Sequence, residues 1–324
     1  MSRIFVRLCA SAVLAITVGT VAAGHVSAEE LKRLRVGITK MAALTTPWIA
    51  KQQGIYKKHG LDVELLEFQA SQSIAAHQAG DLDILLSIPG TAMTAIERGF
   101  DMVAISQNEV AQSTSPDTGS IQVRADSDIK SLADLKGKIV GVSGVRGQKT
   151  AEVYMLIEKA GVNLKDVQFI EIPFPNMADA LRHKQVDAVA LVDPYTTQIL
   201  TSGLGRVLSW DYVETIPKQP LGVWFAKSTL IKKDPDLINR FNAAAKESID
   251  WMNADPERAR QKVAEFTGLD PKLVKEMPMI GWDYKVSRDR WQAVADLMTE
   301  RKQLQKTHKV DSFFSEMIKT DVVE

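Results

Sequence analysis

The chain has 324 residues, 45% apolar and 25% charged, with 19 Gly, 12 Pro and one Cys. That length suits about two compact domains, and 40 basic against 40 acidic residues leave no global basic surplus for nucleic acid. The lone Cys9 excludes a disulfide framework and a Cys-based metal or cluster site.

At the start, Arg3 and Arg7 precede an almost wholly apolar run from Leu8 to Ala23, and Val26-Ser27-Ala28 fits a small-x-small cleavage pattern. The run is short for a membrane span and polar sequence follows at once. Residues 1–28 are therefore expected to be a signal peptide cut after Ala28. Cys9 lies before the apolar run, which argues against lipid attachment. Cleavage would remove two basic charges and the only Cys. The product is expected in a bacterial periplasm, where there is no ATP pool.

Short β-type runs then alternate with helical ones. Leu34 to Ile38 reads as a strand and Trp48 to Lys58 as a helix; Val63 to Phe68 is a strand and Ile74 to Ala79 a helix. Asp83 to Ser87 is a third strand, Thr91 to Arg98 a helix, and Met102 to Ser106 a fourth strand. Strands alternating with single helices imply an α/β fold with a parallel, helix-covered sheet. A shift of 104 residues places Val36-Gly37-Ile38 on Val140-Gly141-Val142, Asp83 on Asp187 and Gly99 on Gly203. Two α/β units share such landmarks by chance, or the chain holds two lobes of like topology; two doubly wound domains satisfy both readings. Ser120 to Arg124 and Leu221 to Ala226 are extended and β-prone, as strands crossing between lobes would be. From Asp234 the pattern turns helical, with Leu237, Ile238, Phe241, Ala245, Ile249 and Met252 on one face. Asp-Pro pairs at 193, 234, 255 and 270 mark helix starts, Asp capping and Pro fixing φ at the first helical position.

The most enzyme-like stretch is Gly141 to Thr150. It nearly spells a phosphate-binding loop, but Gln148 stands where Gly must precede Lys-Thr, and export removes the nucleotide. What remains is a flexible turn, or a glycine loop offering amides and Arg146 to a small ligand. His59, His77, His183 and His308 lack metal-ligand spacing; His77 and His183 sit in polar helix stretches and are expected to be solvated. No Gly-x-Ser-x-Gly elbow appears, and no pair of carboxylates stands out. Open α/β sheets bind ligands at the carboxyl ends of their strands. Here those loops are Met41 to Pro47, Gln69 to Ser73, Ser87 to Thr91, Ser143 to Thr150, Pro173 to Asn176 and Asp193 to Tyr195. Most are rich in Ser, Thr, Gly or Gln and run into helix N-termini, a natural seat for an anion. The same residues also serve simply as caps.

Several stretches carry a family likeness: Val36-Gly37-Ile38; Trp48 to Tyr56; His59-Gly60-Leu61-Asp62-Val63-Glu64; Ala79-Gly80-Asp81-Leu82-Asp83; Ile129 to Lys138; Val186-Asp187-Ala188 with Asp193-Pro194-Tyr195; and Phe266 to Pro271. The mature chain resembles periplasmic solute-binding proteins of ABC importers, in the nitrate, taurine and alkanesulfonate branch that includes binders of thiamine-pyrimidine precursors. The resemblance implies a two-lobed periplasmic binding protein of type II, with parallel or mixed sheets, helices on both faces and a two-strand hinge. Residues 29–122 plus 224–324 would form lobe 1 and residues 123–223 lobe 2.

Carried over residue by residue, ligand contacts are expected at Thr45, Thr46, Ser71, Ser73, Ser87, Pro89 and Thr91, and at Asp193 and Tyr195, with Trp224 walling the cleft. The sequence departs from the family pattern at Gly144 to Thr150, where a longer loop carries Arg146 and Lys149. Arg146 suits a carboxylate, which it can bind bidentately. Asp193 is expected to hold an amine or to cap its helix. The expected function is an extracytoplasmic, non-catalytic component of an ABC transporter. It would capture a small, anionic solute of sulfonate, carboxylate or nitrate type and deliver it to a membrane permease, as a monomer and with no cofactor. The alternatives are a binder of a neutral pyrimidine or vitamin precursor, a biosynthetic enzyme on the same scaffold, and an exported sensor module. A pyrimidine synthase with a Cys-rich iron motif is excluded, because the mature chain has no Cys.

Overall fold

A computed structural model describes residues 30–68 and 70–319; the expected signal peptide, Cys9 and Gln69 lie outside them. In chain order the elements are β1 (Lys32–Ile38), α1 (Thr45–Gln52), α2 (Ile55–Lys58), β2 (Leu61–Glu67), α3 (Ala70–Ala79), β3 (Ile84–Ser87), α4 (Pro89–Glu97) and β4 (Val103–Val110). The chain then passes through β5 (Gly119–Arg124), β6 (Ile139–Val142), α5 (Gln148–Lys159), β7 (Gln168–Glu171), α6 (Phe174–Arg182), β8 (Ala188–Val192), α7 (Tyr195–Thr201) and β9 (Gly205–Ser209). It returns through α8 (Asp211–Thr215), β10 (Pro220–Ala226), α9 (Ser228–Lys233), α10 (Pro235–Asn253), α11 (Pro256–Thr267), α12 (Pro271–Glu276), β11 (Gly281–Trp282) and α13 (Arg288–Glu300).

The strands form two sheets, β11-β4-β10-β3-β1-β2 and β7-β6-β8-β5-β9. Apart from the short edge strand β11, the two orders are the same, with β1 matched by β6, β2 by β7, β3 by β8, β10 by β5 and β4 by β9. The 104-residue shift has a physical basis here. Val36 pairs in parallel with Leu65 and Ile84, and Val140 pairs in parallel with Phe169 and Ala188. Each sheet also holds an antiparallel strand between its third and fourth parallel ones: β10, from beyond the second sheet's residues, in the first, and β5, which directly precedes β6 in the chain, in the second. Trp224 of β10 lies between Leu86 and Ser106, and Ile121 of β5 lies between Ala190 and Ser209. The chain therefore changes sheets twice, through residues 111–118 and 210–219.

Helices cover both faces of the sheets, and side-chain alternation along a strand divides the cores. On β10, Val223 and Phe225 pack with Met93 of α4 and Trp291 of α13, whereas Trp224 and Ala226 pack with Ala50 of α1 and Phe241 of α10. Trp224 meets Phe241 edge-on at 5.4 Å, a geometry that adds about 0.5–1.5 kcal/mol to the area term. In the second sheet Val140 and Val142 pack against Val153, Leu156 and Ile157 of α5, and Val189 and Leu191 against Met177 and Leu181 of α6. The six apolar positions read from α10 are all buried. Asp234, Asp255 and Asp270 accept the amides of Leu237, Arg258 and Lys272, as their Asp-Pro signature predicts; the fourth pair departs from it, because Pro194 itself stands at the cap position of α7 and Asp193 one residue before it.

Two local expectations need correction. The single helix expected from Trp48 to Lys58 is two, because Gly54 takes φ 68° between α1 and α2, a conformation that glycine adopts without steric cost. His77 is not solvated: it is fully buried on the packed side of α3, its Nδ1 lies 3.2 Å from the Leu82 carbonyl, and burial pushes it down to about 4.

Candidate ligand-binding site

The two segments that change sheets run past the N-termini of α4 and α5. Those two helix starts touch: the Gly90 amide donates to Gln148 Oε1 at 3.1 Å, and Gln148 Nε2 donates to Gln219 Oε1 at 2.8 Å. A Cβ on Gly90 would stand 2.8 Å from that of Gln148, so only glycine permits this approach.

The expected site residues fall into several environments. Thr45 and Thr46 are buried in the first turn of α1, not in a loop; Thr45 bonds the Ala42 carbonyl and Thr46 the Asn108 side chain, both at 2.8 Å. Ser71 and Ser73 lie in α3, with Ser73 half-buried. Ser87 is buried at the end of β3, Pro89 opens α4 and Thr91 is exposed in its first turn. Tyr195 stacks on Phe174 at 6.1 Å. Trp224 is sealed in the core against Phe241. Arg146 is exposed and donates to the Lys302 carbonyl at 3.2 Å. Around Arg146, the Val145 amide donates to Glu171 at 2.8 Å and the Gly147 amide to Gln303 at 3.2 Å. Two amides of the glycine loop are thus already engaged by the protein.

Asp193 is both cap and open carboxyl. Its Oδ1 accepts the Thr197 amide at 2.9 Å and the Thr197 hydroxyl at 2.7 Å, while its buried Oδ2 has no partner. Burial pushes it up to about 6, and the Asp117 charge adds to the shift.

Asp117 belongs to a group that the sequence did not single out. Glu109 ends β4, Asp117 precedes β5, Lys149 and Glu152 share the first turns of α5, and Asp211 and Tyr212 open α8. Glu152 and Asp211 are fully buried and Asp117 nearly so. Asp211 pairs with Lys149, whose ammonium lies 4.2 Å from the centre of the Tyr212 ring. Neither carboxyl oxygen of Glu152 makes a well-aligned hydrogen bond, nor does Asp117 Oδ2, although the Gln148 and Gln219 side chains stand close enough to Glu152, and the Gln112 backbone to Asp117, to favour the charged forms. Burial pushes Glu109 up to about 8, assisted by the Asp117 charge, and Glu152 up to about 8, assisted by that of Asp211. Asp117 and Asp211 are also raised, burial outweighing the attraction of Lys149. Glu109 keeps partial solvent contact, and its carboxyl flanks Gly222, where a Cβ would lie 3.3 Å from Oε2. The readable signal was Gln107-Asn108-Glu109, a polar run inside an otherwise apolar strand.

A surface cavity of about 280 Å³ adjoins this region, lined by Gln107, Val110, Lys218, Pro220, Asp283, Lys285, Val286, Ser287, Arg290 and Trp291. Among the described residues no group of three or more His, Cys, Asp or Glu is placed to hold a metal ion. The arrangement suits recognition by charge and hydrogen bonding.

The NMT1/THI5-like family profile matches residues 42–259. The chain belongs to this family. A candidate binding protein of Brucella abortus is 29% identical over 225 residues, covering 68% of this chain and 67% of that protein. A Saccharomyces cerevisiae 4-amino-5-hydroxymethyl-2-methylpyrimidine phosphate synthase is 22% identical over 231 residues, 68% of this chain and 66% of that one. Among solved structures, the periplasmic aliphatic sulphonate binding protein from Escherichia coli superposes with a TM-score of 0.74 at 20% identity, covering 87% of this chain and 97% of that one. The periplasmic nitrate-binding protein from Synechocystis PCC 6803 gives 0.72 at 16% identity, covering 90% and 88%. The family member thus has the periplasmic-binding-protein fold that the sequence led us to expect.

Proposed function

We propose that this NMT1/THI5-like protein is the solute-binding component of an ABC importer. The borders expected at 122/123 and 223/224 fall inside β5 and β10, so the halves divide at the sheet-changing segments 111–118 and 210–219. After export and cleavage behind Ala28, the monomer closes these two halves on a small organic solute. It then presents that solute unaltered to a membrane permease. The observation that carries the reading is the meeting of the α4 and α5 starts over two sheet-changing segments. A gap bounded by both halves and spanned by a two-strand hinge closes when a ligand touches both sides.

Binding-protein relatives and neighbours support capture over chemistry, and the yeast synthase keeps the enzyme reading as the rival. The anionic class rests on Arg146 and the hydroxyl-rich helix starts; the alternative is a neutral pyrimidine or vitamin precursor. The test is to incubate the purified mature protein with mixed sulfonates, carboxylates, nitrate and aminopyrimidines, then identify the bound compound by native mass spectrometry. Recovery of one compound, chemically intact at one per chain, is the expected result. Turnover of that compound would establish the enzyme instead.

A further inference from the structure

We propose that the cavity between β4, the turn at Lys218 and the start of α13 is a second binding site. It takes a doubly charged oxyanion, the phosphate or sulfate group of a small solute, on Lys218, Lys285 and Arg290. The site is separate from the solute seat between the halves, because none of the side chains expected to touch that solute lines this cavity.

Charge is the first ground. The three cations come from the second sheet-changing segment, the loop between β11 and α13, and the first turn of α13, yet all border one space of about 280 Å³. That is at the small end of the roughly 300–1,000 Å³ usual for ligand pockets. Among the described residues no carboxylate pairs with any of the three, whereas Arg288, between Lys285 and Arg290, lies 3.1 Å from Asp311. The one carboxylate in the lining, Asp283, accepts the Lys285 amide at 2.9 Å. Three positive charges therefore face one negative.

Two of these placements cost stability that the chain does not recover by itself. Lys218 has φ 59°, in the left-handed region where a side chain is strained and glycine is not. Arg290 stands in the first turn of a 13-residue helix, where the dipole disfavours a cation. Like charges held at one opening also repel. A doubly charged oxyanion offsets both electrostatic costs at once, since ammonium and guanidinium groups donate to such oxygens. Strain kept beside a cavity is a common mark of a binding position.

The floor is built to stay in place. Gln107 and Trp291 are buried; Trp291 Nε1 donates to Gln107 Oε1 at 3.2 Å, and Gln107 Nε2 to the Glu109 carbonyl at 2.6 Å. Their donors are spent within the protein, so recognition falls to the exposed cations. At the cavity edge the Lys218 amide donates to the Gln112 carbonyl at 3.2 Å, which ties the two sheet-changing segments together.

Calorimetry of the purified mature protein at constant ionic strength should detect saturable one-to-one binding of inorganic phosphate or sulfate, with nitrate at least tenfold weaker. Glycerol 3-phosphate binding more tightly than phosphate would assign an ester whose body fills the remaining space; equal affinity would assign the free ion. Lys218→Gly removes a charge and the backbone strain together, so it should fold with an equal or higher Tm while phosphate binding weakens at least tenfold. Arg290→Gln should weaken binding as much, and Arg288→Gln should leave it within about twofold. Absence of saturable binding by either dianion would overturn the inference, as would equal affinity for nitrate. So would binding that persists in both Lys218→Gly and Arg290→Gln, or a loss in Arg288→Gln as large as theirs. The solute-binding reading stands or falls separately, on the compound recovered from the seat between the halves.

Discussion

At the scale of single residues, burial without partnership is the dominant feature. Glu109 and Glu152 titrate at about 8 and Asp193 at about 6, all above the ordinary carboxyl range near 4. Over that window the native state holds protons that the unfolded chain has released, so the stability they contribute is complete at low pH and lost as pH rises through 6 to 8. The melting temperature of the unliganded protein should therefore fall between pH 5 and pH 8.5. Glu152→Gln should flatten that decline and raise Tm at pH 8 by several degrees, of the order set by 1–2 kcal/mol in a chain of this size. A Tm that climbs with pH, or a Gln variant less stable at pH 8, would contradict this account. Arg146 offers a sharper choice. If its guanidinium grips the solute, Arg146→Ala weakens binding tenfold or more; if it does not, calorimetry finds the affinity within about twofold, because the side chain is exposed and engages only the Lys302 carbonyl.

At the scale of elements, the proposed closure makes the contact between α4 and α5, where Gly90 meets Gln148, its joint. Gly90→Ala should add a Cβ 2.8 Å from Gln148 Cβ while improving helix propensity within α4. The substitution is thus expected to leave thermal stability nearly unchanged but to hold the halves apart. Small-angle scattering should show a larger radius of gyration, and solute affinity should drop about tenfold. A variant that binds as tightly as the parent would remove this contact from the closing mechanism. Helix boundaries were legible where chemistry is local. The Asp caps at 234, 255 and 270 and the apolar face of α10 were read from spacing alone. The break at Gly54 and the burial of His77 were not, because an isolated glycine can be tolerated inside a helix and a polar neighbourhood in sequence does not reveal what packs above it in space.

At the scale of the whole molecule, the chain leaves the first sheet through residues 111–118, completes the second with β5 to β9, and returns through 210–219 to add β10 and β11 to the first. Export bears on this scale too. Protein recovered from the periplasm of an expressing bacterium should begin at Glu29 by N-terminal sequencing, and a retained leader would contradict the proposed cleavage. The α/β class, the alternation of strands with helices and the repeated strand landmarks followed from the sequence, because alternation, helical period and turn residues are short-range patterns; the segments read as crossing strands, 120–124 and 221–226, instead lie within one sheet each, and the chain crosses at 111–118 and 210–219. The tertiary structure alone decided which charged groups lose water. Glu109, Asp117, Glu152, Asp193 and Asp211 come from separate segments, none of them remarkable by itself. Only the folding of the sheet-changing segments onto the α5 start gathers them, and desolvation depends on what surrounds a group from every side, which no local pattern encodes.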